Sequence, residues 1–262
     1  FRDGFDEVVL TGIHIGKYGS DFAASGLKRR NKTCNLEDLL KGLLRDTDIN
    51  RIRISSIEVN EITKRLLDIV KGNKERFAHY LHIPLQSGSD RILKLMGRPY
   101  TAEYYYKKAE EISKILPGIA LAADVMVGFP GETEEDFIQT VGMVKKIAFS
   151  KIHVFKFSKR RNTPAYWMNG QVSEGIKSRR SKTLRDIGDG LRNKYLEDNI
   201  GELLHVVCEE SDGDSNIING ISGNYIKVYF SKGKKDFSLL RGKMLKVTAG
   251  PIYKDGLRGI LK

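Results

Sequence analysis

The chain has 262 residues, 40% of them apolar, with 45 Lys and Arg against 33 Asp and Glu and a net charge of +12. That is long enough for one large domain with a real core, or for such a domain and a small appendage. No apolar run approaches the ~18–20 residues that span a bilayer, and no basic-then-apolar leader opens the chain, so a cytoplasmic protein with no membrane partner is expected. The two cysteines, Cys34 and Cys208, are far apart in sequence and build neither a disulfide framework nor a metal cluster.

The chain opens on Phe1, a few residues ahead of a strand pattern, and the natural protein is expected to begin further upstream. Five β-rich runs follow, Asp6–Thr11, Arg51–Ser56, Tyr80–Leu85, Ile119–Val127 and Lys151–Phe157. They alternate with amphipathic helical runs at Leu36–Leu44, Ile62–Val70, Ser89–Met96 continuing into Ala102–Leu116, and Glu134–Ile147. Steady alternation implies parallel strands joined by right-handed crossovers, either a doubly wound sheet or a β/α barrel. A long helix is predicted over Ser173–Asp198 in spite of three internal glycines. Beyond it, the runs Leu203–Glu210, Tyr225–Phe230 and Lys243–Thr248, separated by Gly, Asp and Asn clusters, predict a small antiparallel, OB-like barrel. The domain boundary is therefore placed between residues 1–198 and 199–262.

The most informative stretch is Ala123–Phe137, ADVMVGFPGETEEDF, an apolar strand running into a Gly-Pro-Gly turn and an acidic helix start. Gly128 and Gly131 allow positive φ or close packing, Pro130 stiffens the bend, and Thr133 is placed to cap the helix by accepting from the amide near Asp136. Polar residues also gather at the other strand ends: Thr11, Gly12 and His14; Ser55, Ser56 and Glu58; His82, Gln86 and Ser87; Asp124 and Glu132. In a β/α barrel those ends carry the chemistry, and Pro84 and Gln86 are unusual within a strand-like run. No Ser-His-Asp order, P-loop lysine or His-rich metal spacing is present, so these are binding groups, and difficult chemistry must come from something bound.

Charge is uneven along the chain. Residues 1–144 hold 21 basic and 21 acidic residues, 145–198 hold 14 and 5, and 199–262 hold 10 and 7. Concentration of the excess after the middle favours a surface facing a polyanion. Lys28, Arg29, Arg30, Lys159, Arg160 and Arg161 are the candidate phosphate contacts.

The ordered motifs EVVLTGIHIGKYG, RIRISSIEV, HIPLQSGSDRILKLMGRPYT, DVMVGFPGETEEDF and KIHVFKFSKRRNTPA resemble the radical S-adenosylmethionine methylthiotransferases over nearly the whole chain. The resemblance implies a partial β/α (TIM-like) radical SAM barrel lacking its first strand, followed by a TRAM-type RNA-binding barrel. It implies S-adenosylmethionine as cofactor, with Thr11 and Gly12 near its methionine end and Ser55, Ser56, Gln86 and Ser87 at ribose and carboxylate. Val127, Gly128, Phe129, Pro130, Phe155 and Phe157 would then surround the adenine, with Glu132 bracing the turn. It further implies a tRNA partner and two four-iron clusters in a full-length protein.

The family's Cys-x3-Cys-x2-Cys is not in this chain, so no cluster and no catalysis are expected of the fragment itself. The segment TGIHIGKYG is most similar to the branch acting on threonylcarbamoyladenosine. The isopentenyladenosine branch and a non-catalytic RNA-binding protein are the alternatives. SKRRNTPAYW departs from the family's usual Gly-Thr-Ala-Ala ending at Asn162 and Tyr166. Loss of the first strand is expected to leave the Glu7–Thr11 edge unpaired and prone to self-association.

Overall fold

The computed structural model describes residues 4–21, 34–211, 216–234 and 236–262; Lys28, Arg29 and Arg30 lie outside the described residues. Five parallel strands, β1 (Glu7–Leu10), β2 (Arg51–Ile54), β3 (Tyr80–His82), β4 (Ala120–Val127) and β5 (Lys151–Lys156), stand in chain order. The β1–β2 ladder and the β3–β4–β5 ladder are joined through single bridges, Ile52 to Phe77 and Ser56 to His82. β3 is shorter than its sequence pattern because Pro84 has no N–H. Ile83 and Leu85 still donate to Ala122 O and Asp124 O on β4 and keep the segment in register.

Helices α1 (Leu36–Asp46), α2 (Lys64–Gly72), α3 (Asp90–Leu95), α4 (Ala102–Ile115) and α5 (Glu134–Ile147) connect the strands. The predicted Ser89–Leu116 run is two helices, because Gly97 takes φ +70° and Thr101 caps a fresh start. Between helices and strands lies the main core. Alternate strand residues Ile52, Ile54, Leu81, Leu121, Ala123, Val125 and Val127 pack there with Leu36, Leu40, Leu66, Leu67 and Phe137. Each fully buried Leu or Ile contributes about 1.5–3 kcal/mol. The period of two sends the other strand residues to the concave face, so Glu7, Arg51, Arg53, Tyr80, His82, Asp124, Lys151 and His153 share it.

After β5 come α6 (Pro164–Trp167) and the long α7 (Glu174–Glu197). Of the three glycines in α7, only Gly188 is required by packing: a Cβ there would sit 2.6 Å from Ile152 Cγ1, whereas Gly175 and Gly190 face open space.

The second unit is a closed barrel of β6 (Leu203–Ser211), β7 (Ile217–Ser222), β8 (Lys227–Ser231), β9 (Met244–Tyr253) and β10 (Gly256–Leu261), with α8 (Phe237–Leu240) between β8 and β9. The closed order is β10-β8-β7-β6-β9, and β10 runs parallel to β8, so the barrel is not wholly antiparallel as expected. Two strands were hidden in the sequence by turn-like residues. The NGISGN cluster carries most of β7, and Gly256 and Gly259 interrupt β10 because a Cβ at either would meet β8 at 1.9 and 2.7 Å. Tyr225, expected to open a strand, instead takes φ +63° in the turn before β8. Among the described residues no helix is long and apolar enough to cross a membrane.

Candidate functional site

The concave face of the five strands has two different ends. At the strand N-termini it is closed. Glu7 accepts from both Arg51 and Arg53, and all three side chains are nearly buried. Arg51 also donates to His205 O at 2.7 Å and Ile221 O at 3.0 Å, and Arg53 to Ser222 O at 3.0 Å, all on the small barrel. The Arg53 guanidinium lies 5.0 Å from the Tyr225 ring centre, and Tyr225 stacks on Tyr80 at 4.3 Å. The small barrel thus forms a floor across the strand N-termini. Burial lowers the Arg51 pKa and Glu7 opposes that shift.

Midway up the face, His82 Nε2 lies 3.1 Å from Asp124 Oδ1 and its ring is 5.6 Å from that of His153. Burial first, then the charges of Lys151 and His82, lower the His153 pKa below its ordinary value.

At the strand C-termini a cavity of about 380 Å³ opens. Gln86, Met126, Phe129 and Phe157 form one wall, Leu95, Met96, Gly97 and Arg98 a second, and Thr163–Ala165 with Met168 a third. Phe129 and Phe157 meet edge to face at 5.3 Å. Gln86 sits at φ +64°, a conformation that costs a non-glycine residue about 1–2 kcal/mol. It is held there by two bonds to β4: its N–H donates to Asp124 O at 2.8 Å, and its carbonyl accepts from Met126 N at 2.8 Å. Backbone strain fixed by its neighbours beside a cavity is a mark of a binding site.

The glycine turn after β4 is built around two buried charges. Glu132 accepts from Gly128 N at 2.6 Å and from Arg180 Nη1 at 2.7 Å, which braces the turn against α7. Burial raises the Glu132 pKa, partly offset by the Gly128 amide and Arg180. Gly128 takes φ +74°, and a Cβ there would stand 2.3 Å from Lys177 Cγ, so that position needs glycine twice over. Thr133 caps α5 by accepting from Asp136 N, and the Asp136 carboxylate accepts from Thr133 N at 2.8 Å.

Three of the expected cofactor residues, Gln86, Phe129 and Phe157, line the cavity. Gly128 and Pro130 are buried in the turn behind it, and Phe155 is half-exposed on the concave face. Val127 packs into the helix-side core, as the strand period requires, and Ser87 is fully buried, sharing its hydroxyl with Thr140 and accepting from Ser89 N. Neither is brought to the cavity. Thr11 and Gly12 are exposed at the end of β1. Ser55 is half-buried with its Oγ out of solvent and no hydrogen-bond partner among the described residues; Ser56 bridges to His82. The loop after β1 rests on Glu61, where Gly16 leaves room and His14 Nδ1 comes within 3.6 Å of Oε1.

Arg98, held by Glu58 Oε1 at 2.7 Å, was missed, as were Met96 and Met168. The only signal for Arg98 was its place in the Met-Gly-Arg-Pro turn. Asn162 takes φ +68°, which explains how it replaces glycine in its loop, since asparagine tolerates that region best among the other residues. Lys159, Arg160 and Arg161 are exposed just past β5.

Residues 17–144 match the model of the radical SAM superfamily. The chain is 40% identical over 260 residues to threonylcarbamoyladenosine tRNA methylthiotransferase MtaB of Bacillus subtilis, covering 97% of this chain and 54% of that protein. It is 34% identical to the MtaB of Thermotoga maritima, covering 86% of this chain and 48% of that one. It is also 34% identical to tRNA-2-methylthio-N(6)-dimethylallyladenosine synthase of Carboxydothermus hydrogenoformans, covering 99% and 56%. The chain spans about half the length of the curated relatives it matches.

Proposed function

We propose that this radical SAM domain and its small barrel belong to a tRNA methylthiotransferase acting on threonylcarbamoyladenosine next to the anticodon, with S-adenosylmethionine held in the cavity at the strand C-termini. The observation that carries the reading is the 40% identity to the B. subtilis MtaB across both units of this chain, taken with a cavity at the end of the strands where β/α barrels place their chemistry.

The residues fit S-adenosylmethionine. Met126, Phe129 and Phe157 offer an apolar wall to an adenine, and the unpartnered Ser55 hydroxyl offers a polar contact near the strand ends. When bound, the cofactor supplies the methyl group and the means of breaking an unactivated C–H bond. The chain's own part is to bind and orient. Gln86 fixes the rim through its two β4 bonds, Glu132 and Arg180 hold the glycine turn in place, and the small barrel keeps water from entering through the floor.

The residues described do not fit an iron–sulfur cluster. Cys34 and Cys208 belong to different units, and among the described residues no group of three or more His, Cys, Asp and Glu could hold a metal ion. In this reading catalysis belongs to a longer protein, and the 262-residue chain alone makes no deoxyadenosine.

The 40% identity to the B. subtilis MtaB, against 34% to the C. hydrogenoformans dimethylallyladenosine synthase, favours threonylcarbamoyladenosine over the isopentenyl nucleoside. Mass spectrometry of tRNA nucleosides from a strain lacking the gene tests the reading. Loss of 2-methylthio-threonylcarbamoyladenosine alone is expected. Its persistence, or loss of the isopentenyl counterpart instead, refutes the assignment.

A further inference from the structure

The segment after β5 places aromatic rings where a folded protein has no internal use for them. Trp167, the chain's single tryptophan, is 79% exposed at the end of α6. It contacts Tyr166 at 4.8 Å between ring centres with the ring planes nearly perpendicular, and its exposure leaves most of the indole open. Lys159 Nζ lies 4.5 Å from the Tyr166 ring centre, and Arg160 and Arg161 are exposed in the same loop. Thr163, Pro164, Ala165 and Met168, on either side of the pair, line the cavity.

A large apolar ring left in water is unfavourable unless something covers it, and this one stands among cations at the mouth of a binding cavity. The local charge selects the occupant. Residues 145–198 carry 14 basic and 5 acidic residues, which is complementary to a polyanion. An aromatic face beside a cationic track is the arrangement that binds unpaired nucleotides, with phosphates on the cations and a base on the ring. Paired bases present no free face, so a duplex cannot use it.

We propose that Trp167, buttressed by Tyr166, is a stacking platform for one unpaired base of a single-stranded RNA segment, with Lys159, Arg160 and Arg161 on the flanking phosphates. The platform stands at the rim of the cavity assigned to S-adenosylmethionine, so the stacked base is a neighbour of the nucleotide presented to that rim. The site rests on the tRNA reading above and adds to it a residue for recognition.

Because Trp167 is the only tryptophan, its emission reports on this site directly. The 262-residue chain is titrated with an unlabelled 17-nucleotide single-stranded RNA and with the same sequence as a duplex, while filter binding of the radiolabelled RNA gives affinity and salt dependence. The single strand is expected to quench the emission saturably, and the duplex is not. Trp167→Ala weakens single-strand binding on the order of ten-fold without changing the salt slope, and Trp167→Phe recovers most of it. Replacing Lys159, Arg160 and Arg161 by Gln lowers the salt slope by roughly 0.7 for each phosphate that is no longer neutralised.

RNA binding that is unquenched and unaffected by Trp167→Ala overturns the platform and leaves the tRNA reading intact. Failure to bind any RNA at low salt overturns both. A shift of the emission with protein concentration, without RNA, assigns the ring to contact with a second copy and also overturns the proposal.

Discussion

Gly128→Ala probes the turn on which the cavity wall depends. The position takes φ +74°, where an L-residue costs about 1–2 kcal/mol relative to glycine. The added Cβ would stand 2.3 Å from Lys177 Cγ and 3.0 Å from its Cδ, on the inner stem of a nearly buried side chain. Moving that stem forces a rotamer change of ~1 kcal/mol and disturbs the Lys177–Glu174 pair at 2.8 Å. That pair counts for little, because Glu174 is mostly exposed. The sum is about 2–3 kcal/mol, measured as a lowered urea midpoint at unchanged slope. Lys177→Ala in the same chain should remove the clash and leave only the backbone part, about 1–2 kcal/mol. A loss below ~0.5 kcal/mol for Gly128→Ala, or no recovery in the double variant, would refute the account of this turn.

Three further outcomes are expected. Glu7→Ala leaves Arg51 and Arg53 buried without their carboxylate and should destabilise the chain by roughly 3–5 kcal/mol in chemical denaturation; an unchanged midpoint would show that the floor does not depend on this ion network. For His153 the folded pKa is depressed, so the unfolded chain binds more protons as pH falls through the ordinary histidine value of about 6.5. Stability from this group is therefore complete above that pH and lost below it, His153→Gln should flatten the thermal midpoint between pH 7 and 5, and an NMR titration midpoint at or above 6.5 would contradict the shift. The outer edge of β1 pairs with no strand among the described residues, and Val9 and Phe5 are half-exposed beside it, so light scattering should detect self-association; a clean monomer at high concentration argues against it.

Much of the barrel was legible because each strand alternates with an amphipathic helix, and RIRI even announced its two faces, arginines on one and isoleucines on the other. What the pattern could not convey was the purpose of the charged face. Arg51 and Arg53 are buried because Glu7 pairs with both and carbonyls of the small barrel, more than 150 residues away in sequence, accept from them. In the small barrel, glycines that read as turns are strand residues placed where a neighbouring strand passes too close for a Cβ. At the cavity, Gln86 was legible from its position after a strand, whereas Phe129 and Phe157 were indicated only by the family resemblance. Ser87 and Val127 stand in the same motifs but face the helices, a distinction set by single-residue register. Arg98 and Met168 reach the cavity from separate loops, Arg98 marked only by its Met-Gly-Arg-Pro turn and Met168 by no local pattern.

The central claim, that the strand C-termini hold S-adenosylmethionine, is most directly tested by methyl NMR of the chain labelled at methionine. Of its five methionines, Met96, Met126 and Met168 line the cavity, while Met143 lies on α5 and Met244 on the small barrel. Titration with S-adenosylmethionine should shift the first three saturably and leave the other two in place. Absence of any shift, or shifts confined to Met143 and Met244, would contradict the site.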